Sequence, residues 1–225
     1  MYRQKEKMEK LLIHFPVRCT SLKLIDALFN YYELLEDCDN VMFNIVIDED
    51  DIELNNKEVI EYLNGFLHLT VNIIKPCGKI GAINSCIPET GWDVLLLASH
   101  DMFMLEQGYD QIILDNMKTF YPDTDGVLWF KDTHKPDVCT LAVVGKKYYD
   151  SDGFVYNPVY VSMYADNEMG DLVMLRGKCQ KLEQAIFEHQ HPIWTGKDFD
   201  KVKFIKELAW DKTVYQQRKA NNFGL

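Results

Sequence analysis

The chain has 225 residues, of which 47% are hydrophobic and 26% charged, a composition typical of a globular protein. Its 24 basic residues stand against 35 acidic ones, and the net charge of -11 disfavours nonspecific binding to nucleic acid. The uncharged stretches are much shorter than the roughly 20 apolar residues needed to cross a bilayer, so we predict no membrane span.

The N-terminal segment and the cysteines both favour a cytoplasmic protein. Residues 1–10 are highly charged and lead into LLIHFP, which has neither the length nor the cleavage site of a secretory signal. Six cysteines occur without any Cys-x-x-Cys pair, and most lie in apolar segments. We therefore expect reduced thiols rather than disulfides or a zinc site.

Strand and helix patterns alternate over the first half of the chain. The predicted strands span 11–15, 41–47, 71–75 and 93–98, and the predicted helices span 21–35, 56–66 and a short stretch from Gly78. Pro16 is expected to end the first strand and Ser21 to cap the first helix. This alternation predicts an α/β fold with a mainly parallel central sheet flanked by helices.

The second half of the chain is less regular. A helix over 111–120 is followed by two strands, GVLWF and VCTLAVV, which the turn residues of KDTHKP separate. Aromatic, irregular sequence then precedes a helix over 167–176, a strand over 183–187 and a polar tail. No linker composition divides the chain, so we expect a single domain over 1–225.

Polar residues follow several predicted strands at the edge where open α/β sheets bind ligands. Residues 16–18 follow the first strand, acids occupy 48–51 after the second, and Ser99, His100 and Asp101 follow the fourth. Carboxylates that face one another across such a crevice repel unless a cation neutralises them. The pattern favours a divalent-metal site, although solvated loop ends would also account for these acids.

Several motifs of other enzyme classes are absent from the sequence. It contains no Gly-x-x-x-x-Gly-Lys-Ser/Thr loop, no Gly-x-Gly-x-x-Gly after the first strand and no Gly-x-Ser-x-Gly elbow. These absences argue against P-loop, dinucleotide-binding and α/β-hydrolase functions. Near the C-terminus, His189 and His191 alternate in FEHQHPIW, which puts both on one face of a strand and suits metal or phosphate contact, or a polar surface.

The order of these features resembles the GT-A glycosyltransferases, and especially the small family-2-like enzymes of bacteria, phages and large viruses. The resemblance extends over about residues 11–197 and rests on FP-x-R, the acids after strand two, GKIGAIN, SHDM, KKYYDSDGFVYNP, ADNEMGD and HQHP. It implies a GT-A fold with a nucleotide-binding half at about 11–105, an acceptor-side half at about 106–197 and a C-terminal tail at 198–225. The implied activity is metal-dependent, inverting transfer of a sugar from a nucleoside-diphosphate donor to a hydroxyl group.

The same resemblance assigns roles to individual residues. The residues implied in nucleotide-sugar binding are Pro16, Arg18, Asp48, Lys79, Asn84, Ser99, His100 and Asp101. Asp101 would hold the Mn2+ or Mg2+ ion that bridges the diphosphate, and His191 would complete its coordination. Asp166 is the implied base for the acceptor hydroxyl, with Glu168 as the next candidate, although acids in a first helical turn are also favoured by the macrodipole.

One departure and several alternatives stay open. His100 stands where related enzymes tend to carry a second acid, which leaves a catalytically silent protein that binds a nucleotide sugar or glycan as an alternative. A nucleotidyltransferase is a further one, but FPVRCTS lacks the glycine-rich loop it would need. The acceptor is a glycan or another hydroxyl, and the negative charge argues against modified viral DNA. Tyr156, Trp129 and Trp194 could stack on a sugar or base, but such residues more often belong to the core.

Overall fold

A seven-stranded sheet dominates the computed structural model, which describes residues 10–190 and 201–225. Its strands are β1 (Leu11–Val17), β2 (Val41–Asp48), β3 (Leu69–Ile74), β4 (Val94–Leu97), β6 (Val127–Phe130), β7 (Val143–Gly145) and β8 (Cys179–Leu182). Their order is β3-β2-β1-β4-β7-β6-β8, and only β7 runs antiparallel to its neighbours. A second, antiparallel sheet pairs β5 (Met102–Met104) with β9 (Phe187–His189). The predicted α/β fold with a mainly parallel sheet is confirmed.

Helices flank this sheet on both faces. They are α1 (Ser21–Glu33), α2 (Lys57–Leu63), α3 (Gly78–Asn84), α4 (Tyr109–Phe120), α5 (Lys146–Asp152), α6 (Ala165–Leu175) and α7 (Lys201–Ala220). Thr20 is the N-cap residue of α1, so the chain enters this helix one residue before the expected cap at Ser21. In the described part of the chain, no helix is long and apolar enough to cross a membrane.

The period-two alternation of β1 divides the core into two clusters. Leu11, Ile13 and Phe15 pack in the cluster that α1 and α4 cover, whereas Leu12 packs in the cluster that α3 and α6 cover. Burial of each large apolar side chain stabilises the fold by about 1.5–3 kcal/mol. The two clusters fix the sheet between its helices, and thereby fix the residues at its carboxyl edge.

Pro16 does not end β1, contrary to the prediction. It pairs with Val46 inside the β1–β2 ladder, and β1 continues to Val17. The β4 strand pairs with β1 only as far as His14, so at Pro16 one side of the strand has no neighbour that requires an N–H donor. The crevice at the sheet edge therefore begins two residues later than expected.

Several predictions for the second half are wrong. Residues 183–186 are not a strand, because the chain leaves the large sheet after β8 and enters the small sheet at β9. Helix α5 occupies sequence predicted to be irregular, and β7 is shorter than VCTLAVV. The polar tail includes α7, whose buried positions include Asp211, so apolar periodicity does not reveal this helix.

Candidate active site

An ion-pair cluster lies at the carboxyl ends of β1 and β2. Arg18 donates through Nη1 to Asp48 Oδ2 at 3.0 Å and to Asp50 Oδ1 at 2.9 Å. The parallel register, which pairs Val17 with Ile47, brings these strand ends side by side. The Arg18 side chain is 56% exposed and the Asp48 side chain 12%, so the pair is open to solvent on one side. Arg18 and Asp48 are thus adjacent, with the partly buried Pro16 two residues before Arg18.

Two carboxylate oxygens in this corner are buried without a hydrogen-bond partner among the described residues. They are Asp48 Oδ1 and Asp51 Oδ2. The other oxygen of Asp51 accepts from the backbone N–H groups of Glu53 and Leu54, at 3.2 Å each, and closes the turn after β2. A buried acceptor without a donor costs about 1–3 kcal/mol, so any donor that reached either oxygen would stabilise this corner.

The segment after β4 forms the centre of the crevice. Ser99 donates through its hydroxyl to Asp101 Oδ1, and all three residues from Ser99 to Asp101 are partly buried. Burial lowers the pKa of the His100 imidazole more than neighbouring Asp101 raises it. His100 is therefore a neutral hydrogen-bonding group, unlike the carboxylate expected at this position in related enzymes.

His189 lies between two carboxylates on the same side of the crevice. Its Nε2 is 3.5 Å from Asp101 Oδ2 and its Nδ1 is 3.6 Å from Asp132 Oδ2. The β5–β9 pairing, which sets Met102 opposite His189, holds the ring there. Burial alone would lower the pKa of His189, but interactions with both carboxylates raise it to about 9. For Asp101 burial acts in the opposite direction and would raise the pKa, yet His189 and Ser99 hold it well below its usual range.

Asp132 is a fixed support for this histidine. It is 1% exposed and follows β6, and its carboxylate accepts from the backbone N–H groups of His134 (2.7 Å) and Lys135 (3.2 Å) and from the Thr140 hydroxyl. Burial would raise its pKa, but these donors and His189 lower it to about 2. Asp132 is therefore a constant negative charge that orients the His189 ring.

Two of the residues that the sequence assigned to nucleotide-sugar binding, Lys79 and Asn84, lie on α3. Lys79 is exposed, and its positive charge lowers the pKa values of both Asp166 and His100, so it lies near both groups. Asn84 instead donates to Tyr156 O at 2.6 Å and accepts from the N–H groups of Val155 (3.0 Å) and Tyr156 (3.1 Å). All of these bonds tie α3 to the 155–156 segment, so Asn84 shapes the crevice wall.

Asp166 lies on the first turn of α6, within electrostatic range of Lys79 and His189. Burial raises the pKa of its carboxyl group, and the charges of Lys79 and His189 oppose that shift. The residue is partly exposed, and its Oδ1 accepts from the Asn167 N–H at 2.9 Å. The fold thus brings Asp166 near a lysine of α3 and a histidine of β9 that lie on opposite sides of it in the sequence.

Glu168, two residues further on, has a different environment. It is 1% exposed, and both of its oxygens accept hydrogen bonds from the Arg218 guanidinium, at 2.6 Å from Nε and 2.8 Å from Nη2. The Tyr160 hydroxyl (2.6 Å) and the Asn157 amide (3.0 Å) complete the set. Its four donors occupy both carboxylate oxygens and hold the side chain against Arg218, Tyr160 and Asn157.

The remaining sequence candidates are core residues or are not described. Tyr156 and Trp129 are buried, with exposures of 6% each, and Lys181 Nζ lies 3.9 Å from the centre of the Trp129 ring. Neither ring offers a free face for stacking. His191 and Trp194 lie outside the described residues.

Sequence reasoning did not single out Asp132, and it named as metal ligand His191, which lies outside the described residues. Asp132 is the second residue after GVLWF, so the rule that ligand-binding residues follow parallel strands would have found it. His189 was recognised in the alternating pair, but no sequence signal indicates that β9 leaves the main sheet to pair beside Asp101. Only the sheet topology supplies that contact.

The Asp101 carboxylate and the His189 imidazole fit a divalent cation, which would displace the proton that the ring holds between its two carboxylates. Atoms that bind one metal at about 2.0–2.2 Å are themselves about 3.0–3.5 Å apart, and Asp101 Oδ2 and His189 Nε2 are 3.5 Å apart. A histidine ligand generally has a carboxylate on its other ring nitrogen, as His189 has in Asp132. No three His, Cys, Asp or Glu side chains of residues 10–190 and 201–225 are grouped closely enough to hold an ion alone. Substrate phosphates commonly supply such missing ligands.

Solved structures with the same arrangement of strands and helices show which fold this chain has. A mannosyltransferase from Pyrobaculum calidifontis, PcManGT, solved in complex with GDP-Man and Mn2+, matches with a TM-score of 0.65 and 12% identity, over 82% of this chain and 58% of its own. S. aureus TarS residues 1–349 match with a TM-score of 0.63 and 13% identity, over 82% and 61%. The chain has the GT-A glycosyltransferase fold.

The GT-A match extends to a nucleotide-sugar complex. TarS 1–349 in complex with UDP-GlcNAc has a TM-score of 0.62 and 11% identity, over 80% of this chain and 58% of that one. The chain spans about three fifths of the length of these structures. At the level of sequence, no protein-family model and no curated protein matches. The GT-A resemblance predicted from the sequence is confirmed for the fold.

Proposed function

We propose that this chain is a metal-dependent glycosyltransferase that moves a sugar from a nucleoside-diphosphate donor to a hydroxyl acceptor with inversion. One observation supports the proposal above the others. In a GT-A fold, Asp101 and His189 lie 3.5 Å apart at the carboxyl edge of the sheet, and Asp166, with a raised pKa, is electrostatically coupled to that site. Leaving-group stabilisation and proton acceptance are the two tasks that such a transfer requires.

The donor base would bind at the corner formed by Arg18 and Asp48. The Asp48 carboxylate, whose side chain is 12% exposed, would accept an N–H group of the base, and the exposed Arg18 would donate to one of the oxygens of the base. The exposed ammonium of Lys79 would offset part of the diphosphate charge.

Asp101 and His189 would hold the Mn2+ or Mg2+ ion, with Asp132 orienting the histidine ring. When bound, the ion neutralises charge on the leaving diphosphate. His191, the ligand implied by the sequence resemblance, is a further candidate. His100, kept neutral by burial, would donate or accept one hydrogen bond to the donor beside Asp101.

Asp166 would act as the base. It would take the proton of the acceptor hydroxyl as the hydroxyl oxygen bonds to the anomeric carbon and the bond from that carbon to the diphosphate breaks. A pKa raised by burial brings a carboxylate closer to the range in which a general base works well. Glu168, the other sequence candidate, would have to release part of the Arg218 pair first, so we assign it a structural role.

A silent binding protein is the second candidate, and His100 in place of an acid favours it. To decide between the two, release of sugar from GDP-mannose and UDP-N-acetylglucosamine is measured with Mn2+ and with chelator. We expect Mn2+-dependent turnover of at least one donor. Mn2+-dependent binding without turnover would favour the silent protein, and an absence of both would contradict the proposal.

Two variants sharpen this test. Asp101→Asn should remove most of the Mn2+ dependence of nucleotide binding and leave the fold intact, since Asp101 is partly exposed at a strand end. Asp115→Asn makes the same chemical change at an exposed position of α4 and should behave as wild type. Unchanged Mn2+ dependence in Asp101→Asn would show that the metal binds elsewhere.

A further inference from the structure

We infer that helix α7 positions the proposed base, and that Asp211 and Arg218 are its positioning residues. The inference rests on the proposed role of Asp166 and adds residues that touch no substrate. Helix α7 contacts the chain on both sides of Asp166, at the 161–163 segment before it and at Glu168 after it. Asp166 is thus held between two anchor points from one helix.

The first anchor is the Asp211 carboxylate. Asp211 is fully buried, and it accepts hydrogen bonds from three successive backbone N–H groups, those of Val161 at 3.0 Å, Ser162 at 2.8 Å and Met163 at 2.7 Å. Charge-assisted bonds of this kind are about twice as strong as neutral ones. One side chain therefore fixes the path of the backbone that enters α6.

The second anchor is the bidentate pair between Arg218 and Glu168. The planar guanidinium donates to both carboxylate oxygens, which sets the rotation of the first turn of α6 as well as its position. Between the two anchors on α7, the Tyr215 hydroxyl donates to Oδ2 of Asp171, which follows Glu168 on α6. The three contacts align α6 along its length with α7.

The start of α6 depends on these contacts because its own sequence stabilises it poorly. Its N-cap residue, Tyr164, has a left-handed backbone (φ 62°) and makes no capping hydrogen bond through its side chain. A non-glycine residue in this conformation costs about 1–3 kcal/mol and persists only where surrounding structure holds it. Without the Asp211 anchor, the turn would relax, and the Asp166 carboxylate would move relative to the donor.

The test uses the full chain with Asp211→Asn, which keeps the size of the side chain but turns an amide N–H2 towards the backbone donors. We expect turnover of the donor that the wild type uses to fall about 10- to 100-fold, since small displacements of a catalytic group have effects of this size. The Kd for GDP or UDP with Mn2+ should stay within about twofold, because the hydrogen bonds of Asp211 go to the 161–163 backbone and not to the residues at the strand ends. Hydrogen exchange of the 161–163 amides should accelerate at least about tenfold.

Controls separate this inference from a general loss of stability and from the proposed function. Lys212→Gln changes the charge of the neighbouring, exposed residue of α7 and should match wild type. Arg218→Lys keeps the charge but cannot donate to both Glu168 oxygens as the guanidinium does. If Asp211→Asn does not fold, we expect Arg218→Lys to show the same fall in turnover at unchanged nucleotide affinity. Two results for Asp211→Asn would overturn the positioning role. One is a loss of nucleotide affinity as large as the loss of turnover. The other is unchanged turnover although hydrogen exchange of the 161–163 amides is faster. If the wild type neither binds nor turns over a donor, the proposed function fails, and unchanged exchange at 161–163 would then refute the anchor as well.

Discussion

Two carboxylates on the first turn of α6 have opposite electrostatic environments. Glu168 is buried and accepts hydrogen bonds from Arg218, Tyr160 and Asn157. Asp166 accepts from the Asn167 N–H, and burial raises its pKa. The difference arises from the 100° rotation per residue of a helix, which turns Glu168 to α7 and Asp166 to another side of the helix.

This difference predicts separable effects of two isosteric substitutions. Asp166→Asn should reduce sugar transfer by about 100-fold or more, the usual contribution of a general base, with donor affinity and stability unchanged. Glu168→Gln should lower the free energy of unfolding by about 1–3 kcal/mol, because Arg218 loses its charged partner. Steady-state kinetics and urea unfolding measure the two effects. Loss of transfer in Glu168→Gln at unchanged stability would reverse the two roles.

A buried histidine links the sheet to α3. His14 is fully buried, and its Nε2 lies 2.9 Å from Ile83 O and its Nδ1 3.0 Å from the Asn44 amide nitrogen. These partners require a donor at Nε2 and an acceptor at Nδ1, which is the neutral ring. Burial lowers the pKa of His14 from 6.5 to about 4, against the effect of the Ile83 carbonyl.

The His14 environment predicts an acid-sensitive contribution to stability. Because the folded pKa is below the unfolded one, the unfolded chain binds the proton more tightly, and the contribution is present at neutral pH and lost as the pH falls from 6.5 towards about 4. Between about pH 7 and about pH 5 the wild type should lose about 2 kcal/mol more than His14→Gln. Urea unfolding at both values measures this. Equal losses would mean that His14 is not neutral in the fold.

At the scale of elements, the end of β7 approaches another segment very closely. A Cβ atom at Gly145 would collide with the backbone carbonyl of Thr124, although the backbone of Gly145 itself is in an ordinary extended conformation. The close contact lets Tyr148 N–H bond to Thr124 O and sets the start of α5. Glycine is therefore required here for space.

Gly145→Ala should accordingly lower the free energy of unfolding by about 1–3 kcal/mol, the usual cost of inserting a methyl group into a packed site. Gly65→Ala is the matched control, since its Cβ would meet only Tyr62 O at 3.2 Å, and it should cost less. Urea unfolding of both variants provides the comparison. A Gly145→Ala protein as stable as wild type would show that the 124 segment can move away.

For binding of an anionic donor, the distribution of charge over the molecule matters more than the net charge. The chain carries -11 overall, yet the proposed donor is itself an anion. Arg18, Lys79 and His189 bring positive charge to the carboxyl edge of the sheet. The carboxylates there outnumber them, namely Asp48, Asp50, Asp51, Asp101 and Asp132. Nucleotide binding should therefore depend on an added divalent cation.

That balance predicts a ligand-linked change in thermal stability. GDP or UDP at about 100 times its Kd, with Mn2+, should add about 2.7 kcal/mol to the free energy of unfolding. For a chain of this size the melting temperature should rise by about 5–10 °C. The same nucleotide with chelator should give a much smaller rise. Equal shifts in the two conditions would contradict metal-dependent binding.

Local sequence patterns were enough to predict the α/β class, most strands of the parallel sheet and the residues that follow them. These features depend on local periodicity and on the rule that ligand sites lie at the carboxyl ends of parallel strands. Arg18, Asp48 and Asp101 are adjacent to strand ends in the chain as well as in space, so position along the sequence was enough to select them as candidates.

Contacts between segments that are distant in the sequence became visible only in the tertiary structure. His189 meets Asp101 only because β9 pairs with β5, Asp132 supports it from the end of β6, and Asn84 faces the 155–156 segment. Helix α7 escaped the sequence patterns because its buried face uses Asp211 and Arg218, whose partners lie about 50 residues away. A charged side chain gives no local sign of whether it will be solvated or paired in the interior, since the partner that offsets its desolvation is supplied by the fold.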